Sequence, residues 1–179
     1  MLYMLRRLIS RYRLILLIFI VAILLYHPLF SLFFFQDDFF HLKMAQANTV
    51  SDFINFFSFK NSYSYAFYRP LTTQVFLFMT KSIFGYQPFY YHLIAFIVFC
   101  ANIFLIYKIV LFILKNNNFS VIVSLLYALS SANMTTLSYI SAFEEIGMAF
   151  FFFLTILFYL QKRNCVWIFL VFGMGFRLA

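Results

Sequence analysis

Long uncharged apolar runs alternate with short polar segments along the chain. The first run covers residues 14–35, and a helix of that length crosses the roughly 30 Å hydrocarbon core of a bilayer. Similar runs predict spans over residues 88–114, 119–138, 146–160 and 164–179. The pattern therefore predicts an all-α, multispan transmembrane protein with about four complete spans and the beginning of a fifth.

The outer loop between the first two spans, residues 36–87, is mixed in polarity and rich in aromatic side chains. Within it, Pro70 opens the stretch PLTTQVFLFMTKSIFG, which ends at Gly85. Proline in the first turn and glycine after the last turn are normal helix punctuation. Because this piece carries Lys81 and is short for a span, we expect an interfacial helix that lies along the membrane surface.

Basic residues stand at the ends of the predicted spans and indicate their orientation. Four arginines precede the first span, Lys115 follows the second, and Lys162 and Arg163 follow the fourth. The positive-inside rule puts these ends and the N-terminus in the cytoplasm, with the first span as an uncleaved signal anchor in the cell membrane if the chain is bacterial. All the acidic residues then fall on the outer face, namely Asp37, Asp38, Asp52, Glu144 and Glu145.

Composition supports lipid as the solvent of this chain. Of its 179 residues, 65% are hydrophobic and 10% are charged, whereas a soluble domain carries roughly a quarter of charged residues. The net charge of +8 indicates no nucleic-acid partner, because the cations lie at span ends and form no basic face. Cys100 and Cys165 lie inside apolar runs, and the sequence shows no disulfide framework or metal-ligand spacing.

The paired aspartates in QDDFFHLKM are the first candidate catalytic residues. If this stretch is helical, Asp37 and Asp38 point about 100° apart, so one carboxylate can enter a cavity while the other holds a loop or a cation. His41 lies one turn further and can support either one. A part-desolvated carboxylate suits a general base that takes a proton from a hydroxyl. The alternative is a pair of solvated charges that marks the end of a span.

Candidate substrate-binding residues occur in the same predicted outer region. Arg69 precedes a helix N-terminus, where it can hold a phosphate or simply anchor the helix to lipid headgroups. His92 can bind a phosphate or satisfy itself in aromatic packing. Glu144 and Glu145 either approach the cavity near Asp37 or are ordinary loop charges.

The order of these features resembles the N-terminal part of polytopic glycosyltransferases of the C superfamily (GT-C). The likeness is to the branch related to protein O-mannosyltransferases, whose members often carry tetratricopeptide repeats, and it covers about residues 30–163. A signal anchor and a DD-bearing outer loop come first, and the segment YRPLTTQ follows. The remaining motif positions are Gly85, Pro88, Tyr91, His92 and Leu93.

The resemblance implies transfer of a sugar from a polyprenyl phosphate to an acceptor hydroxyl at the outer face, with inversion at the sugar. Asp37 or Asp38 would be the base, with Asp37 favoured, and Arg69 and His92 would lie near the donor phosphate. The implied partners are the lipid bilayer, the polyprenyl-phosphate sugar and an acceptor protein or glycan. No cofactor is implied beyond the lipid-linked donor, and a divalent metal is left open.

One departure from that pattern concerns the number of spans. Enzymes of this kind have about a dozen, so we expect this chain to be a fragment, the product of a truncated gene, or the result of a frame change near the 3′ end of the gene. The alternative is a non-enzymatic small membrane protein, such as a helper subunit or a transporter or flippase component. A transporter should place its polar groups near the bilayer midplane, whereas here they collect at the outer surface.

Overall fold

The structure, a computed structural model, describes residues 2–58 and 70–163, and all the regular secondary structure in this part of the chain is helical. The α-helices are α1 (Leu2–Tyr26), α2 (Asp37–Met44), α3 (Val50–Asn55), α4 (Leu77–Phe84), α5 (Pro88–Leu114), α6 (Asn117–Ala128), α7 (Ser131–Ser138) and α8 (Phe143–Leu160). Two 3₁₀-helices, His27–Ser31 and Ile140–Ala142, and a π-helix, Pro70–Phe76, complete the list. The all-α prediction is confirmed for these residues. The predicted fifth span, 164–179, lies outside them.

Pro28 determines how α1 ends. The first apolar run continues as an α-helix to Tyr26 and then tightens into a 3₁₀-helix. Proline has no N–H, and inside an α-helix its ring collides with the carbonyl four residues earlier, which here belongs to Leu24. This carbonyl accepts a hydrogen bond from the side chain of His27, whose Nδ1 lies 2.8 Å from the Leu24 oxygen. The helical part of the run is therefore shorter than the predicted span.

Helix α5 is central and packs against α1, α6 and α8. The ring of Tyr26 on α1 meets the ring of Phe99 on α5 edge-on, with centroids 5.2 Å apart. The hydroxyl of Tyr107, near the other end of α5, donates to Oδ1 of Asn117 over 2.8 Å. These pairings make α5 antiparallel to its neighbours. The core between the helices consists of Ile15, Ile18, Ala22, Tyr26, Leu29, Ala95, Phe96, Phe99, Ile103, Tyr107, Ala128, Leu137, Phe143 and Ile146.

The predicted third span, 119–138, consists of two helices, because α6 and α7 meet at a bend of 49°. A helix end leaves carbonyl groups without hydrogen-bond partners inside the helix. Here two side chains donate hydrogen bonds to such carbonyl groups. The hydroxyl of Tyr26 donates to the Ala128 oxygen over 2.8 Å, and the amide of Asn133 donates to the Tyr127 oxygen over 2.5 Å. Hydrogen bonds from these two side chains thus satisfy the free carbonyl groups at the bend.

The outward faces of the long helices are apolar. Leu24 and Leu126, for example, expose 68% and 65% of their surface, and large contiguous apolar surface of this kind indicates contact with lipid or another protein. The segments long and apolar enough to cross a membrane are Arg13–Ser31, Pro88–Leu114 and Ile140–Leu160, and α6 with α7 makes a fourth if the bent pair is one span. The described helices therefore indicate a membrane protein with several spans.

The helix predicted between Pro70 and Gly85 is present in two parts, the π-helix and α4. Gly85 ends α4 with φ of 63°, a left-handed backbone that glycine adopts without steric cost. Where the two parts meet, the ring of Phe76 stacks on Phe143 of α8 with centroids 3.8 Å apart. This packing holds the connection between α3 and α5 against the first turn of α8.

Candidate functional site

The charged side chains separate toward the two ends of the bundle. At the end that we call the acidic end, the starts of α2, α5 and α8 lie near the end of α7. This end holds Asp37, Asp38, Asp52, Glu144 and Glu145, which are all the acidic residues of the chain, together with Lys43 and Lys81. The opposite end, the basic end, holds Lys108, Lys115, Lys162 and Arg163.

Asp38 is a buried carboxylate that joins two distant parts of the chain. It is 1% exposed. Its Oδ2 accepts the N–H of Phe35 over 3.0 Å, and its Oδ1 accepts the N–H of Ser141 over 2.7 Å. Because hydrogen bonds to an ionised carboxylate are roughly twice as strong as neutral ones, they offset part of the cost of burying the charge. Asp38 therefore holds α2 against the short connection that leads into α8.

Asp37 precedes Asp38 on α2 and is exposed. Both residues lie in the first turn of α2, where the helix dipole favours a negative charge. The backbone of Gln36 turns sharply before them, with φ of 42°. Because neighbouring residues on a helix point about 100° apart, the carboxylate of Asp38 faces the interior and that of Asp37 faces the surface.

His92 is buried close to Asp38. The side chain is 2% exposed, and its Nδ1 lies 3.1 Å from the carbonyl oxygen of Leu137. A carbonyl only accepts, so Nδ1 carries the proton and Nε2 is left as the acceptor of a neutral imidazole. Nε2 is buried, and no hydrogen-bond partner for it occurs among residues 2–58 and 70–163. The carboxylate of Asp38 is near enough to interact electrostatically with the ring.

The two glutamates at the start of α8 have different surroundings. Glu144 is buried, with 6% exposure, whereas Glu145 is exposed. Oε2 of Glu145 accepts a long hydrogen bond of 3.3 Å from the hydroxyl of Thr136 on α7. His41 lies half-buried on α2, with its ring 5.5 Å from that of Phe40. The packing of α2, α7 and α8 thus brings these side chains to the same end as Asp38 and His92.

An apolar groove lies along α2 on the face of Phe39 and Lys43, and Asp37 stands about 160° away from Phe39 round the helix. Its volume is about 360 Å³. Among the described residues its lining consists of Phe33, Phe34, Phe39, Leu42, Lys43, Gln46 and Tyr86. Phe39 and Lys43 belong to α2, the helix that carries Asp37 at its start. An apolar surface with one cation at its side suits an amphiphile that has an anionic headgroup.

Arg69 lies outside the described residues. Its neighbour Pro70, where the structure resumes, is buried. Over the described ranges, no three side chains of His, Cys, Asp or Glu are grouped so that they could hold a metal ion.

Asn102 is a polar residue that the sequence pattern did not single out. It lies in the middle of α5 with 0% exposure, and its Nδ2 donates to the Ile146 oxygen over 3.0 Å. Its Oδ1 is buried, and within the described part of the chain it has no hydrogen-bond partner. The available signal was an amide inside the apolar stretch FCANIF, since buried polar groups in spans usually serve packing or function.

Comparison of the chain with protein-family models, with curated proteins and with solved structures gives no match. The fold and the site therefore define the class of the protein on their own. In its described residues the protein is all-helical, has several helices apolar enough to cross a membrane, and carries its carboxylates at one end of the bundle.

Proposed function

We propose that the protein is a membrane glycosyltransferase that moves a sugar from a polyprenyl phosphate to an acceptor hydroxyl. The observation that carries the proposal is the combination on α2 of an exposed carboxylate, Asp37, a fixed carboxylate, Asp38, and an apolar groove with a lysine. A polyprenyl phosphate is an amphiphile with an anionic headgroup, so this groove matches its chemistry. The order of motifs that resembles the GT-C glycosyltransferases adds to this support.

In the proposed reaction, the acceptor hydroxyl oxygen attacks the anomeric carbon of the sugar. Its proton passes to the carboxylate of Asp37, and the bond between the anomeric carbon and the phosphate oxygen breaks. The electron pair of that bond leaves with the polyprenyl phosphate. Because the hydroxyl attacks the face of the sugar opposite the leaving phosphate, the configuration at the sugar is inverted. General base catalysis of this kind contributes about 10²–10⁴-fold to a rate. Asp37 is the better base because both oxygens of Asp38 accept backbone N–H groups.

The remaining residues of the proposed site act on the donor and the acceptor. Lys43 beside the groove supplies a positive charge for the donor phosphate, and Arg69 is proposed for the same task from its place in the RPL motif. His92, whose Nε2 is buried, is proposed to act from the interior of the site beside Asp38. Glu144 and Glu145 bind sugar or acceptor hydroxyls, and His41 supports Asp37 from the next turn of α2.

The proposed orientation follows from the distribution of cations. The basic end faces the cytoplasm and the acidic end faces outward, by the positive-inside rule. The connection formed by the π-helix and α4 then lies at the outer interface as the interfacial helix. In this orientation the reaction uses a donor presented from the outer leaflet.

The test is a transfer assay on membranes from cells that express the gene, with a radiolabelled sugar on a polyprenyl phosphate as the donor. Asp37→Asn should lower transfer by at least 10²-fold and leave the amount of membrane-inserted protein unchanged. Asp52→Asn is the matched control, because Asp52 is another exposed acid of the same segment and stands outside the proposed site. It should retain the transfer rate of the unmodified protein.

Two results would overturn the proposal. Transfer that persists in Asp37→Asn removes the assigned base. A protease- or cysteine-accessibility map that puts Asp37 on the cytoplasmic side removes the reaction at the outer face.

A second candidate function is a non-catalytic helper subunit. The specific observation in its favour is that Asp38 uses both carboxylate oxygens to hold the backbone, which is a purely structural task. In that case no donor is turned over, and co-purification with a partner membrane protein would be unaffected by Asp37→Asn.

A further inference from the structure

A second groove lies between α5 and α8 at the basic end, far from the acidic site. Its volume is about 480 Å³. The described part of its lining consists of Lys108, Leu111, Phe112, Lys115, Leu157 and Gln161. Lys108, Leu111 and Phe112 belong to α5 and follow the spacing i, i+3 and i+4, which places them on one face of the helix, and Lys115 follows directly after the last residue of α5. The packing of α8 along that face creates the groove.

The lysines of this groove have no acidic side chain within reach. All five acidic residues stand at the acidic end, and the nearest on α8, Glu145, is separated from Leu157 by about 18 Å of helix. The chain therefore leaves the charges of Lys108 and Lys115 without a carboxylate side chain to neutralise them. Lys162 and Arg163 follow directly after α8 and add positive charge at the same end.

The groove also has an apolar wall that a soluble anion does not need. Leu157 is buried at its base with 7% exposure, and Phe112 exposes 46% of its surface beside it. Lys108 lies six residues before the end of α5, or about 9 Å along the helix axis. A lysine at that depth can direct its ammonium group along the groove toward the helix end while its methylene groups contact apolar side chains.

We infer that this groove binds an anionic phospholipid. The phosphate of the headgroup accepts from the ammonium groups of Lys108 and Lys115 and from the amide of Gln161, and an acyl chain lies against Leu111, Phe112 and Leu157. Basic pockets between membrane helices bind anionic headgroups in this way. The site is separate from the proposed catalytic residues, so the two inferences fail independently.

The test is native mass spectrometry of the purified chain, titrated with dioleoyl phosphatidylglycerol or with dioleoyl phosphatidylcholine. The anionic lipid should bind one to one and more tightly than the zwitterionic one. The double variant Lys108→Gln/Lys115→Gln should weaken its binding about tenfold to thirtyfold, since each lysine near an anionic lipid surface contributes a factor of about five. Lys108→Arg/Lys115→Arg should restore most of the affinity, which separates loss of charge from loss of folding.

The matched control is Arg13→Gln/Lys81→Gln, which removes the same charge outside the groove. One of its residues lies on α1 and the other at the acidic end, and it should bind the anionic lipid like the unmodified chain. Equal weakening in both double variants would overturn the inference, as would equal affinity for the two lipids. Displacement of the bound lipid by millimolar glycerophosphoglycerol would overturn it too, because the acyl chain would then contribute nothing.

Discussion

The hydrogen bonds of Asp38 give a prediction about stability that the structure makes quantitative. In Asp38→Asn the side chain keeps its shape, but only one of its two terminal atoms can still accept a hydrogen bond. The amide nitrogen then faces the N–H of either Phe35 or Ser141, which are 3.0 and 2.7 Å from the carboxylate oxygens. One charge-assisted bond is lost and a buried donor is left unpaired, so we expect a cost of about 2–4 kcal/mol.

The comparison variant is Asp37→Asn, which changes the neighbouring carboxylate in the same way at an exposed position. Its cost should stay below about 1 kcal/mol, because only the interaction with the helix dipole is lost. The measurement is the free energy of unfolding in mixed micelles titrated with sodium dodecyl sulfate and followed by circular dichroism. If the two variants lose the same stability, or if Asp38→Asn loses less than about 1 kcal/mol, Asp38 does not join α2 to the start of α8.

Two further predictions concern Asp52 and Tyr26. Hydrogen bonds with the Thr49 side chain and with the backbone N–H groups of Asn48 and Thr49 lower the pKa of Asp52 below its usual value. The stability that Asp52 gives to α3 is therefore complete above the pKa of this carboxyl in the unfolded chain, and it is lost as the pH falls through the lower pKa of the folded state. An NMR titration of the Asp52 carboxyl with a midpoint at or above about 3.9 would contradict this. Tyr26→Phe removes the hydroxyl that binds the Ala128 carbonyl at the bend and should cost about 1–2 kcal/mol in the same micelle titration, whereas an unchanged free energy would mean that this hydrogen bond does not stabilise the bend.

The sequence predicted helices best where local punctuation and the apolar run agree. Helix α5 begins at Pro88 and ends at Leu114, as the proline and the polar stretch KNNN indicate. The break between α6 and α7 is different, because it contains neither proline nor glycine and is marked only by the small polar residues Ser130 and Ser131. Its local trace is Asn133, whose amide binds a carbonyl of the preceding helix.

The site was predictable in its residue types and not in its pairings. The acidic residues could be assigned to one end of the bundle from the alternation of spans alone. That Asp38 faces inward and Asp37 outward depends on the packing of α2 against the connection before α8. A hydrogen bond to a backbone N–H, such as that of Ser141, cannot be predicted from the pattern of side chains, because every residue except proline has this group. Lys108 illustrates the same limit, since its groove exists only when α8 lies beside α5.

The link between Asp38 and Ser141 also has a consequence for the order of events during biosynthesis. The two residues are 103 positions apart, and ribosomes add about 5–20 residues per second. The carboxylate therefore waits about 5–20 s after its own synthesis before its second donor has been made. During that interval α2 can be held by Phe35 but not by the bundle, so its docking is among the late steps of assembly. The insertion machinery thus meets this helix before the second hydrogen-bond donor of its aspartate has been made.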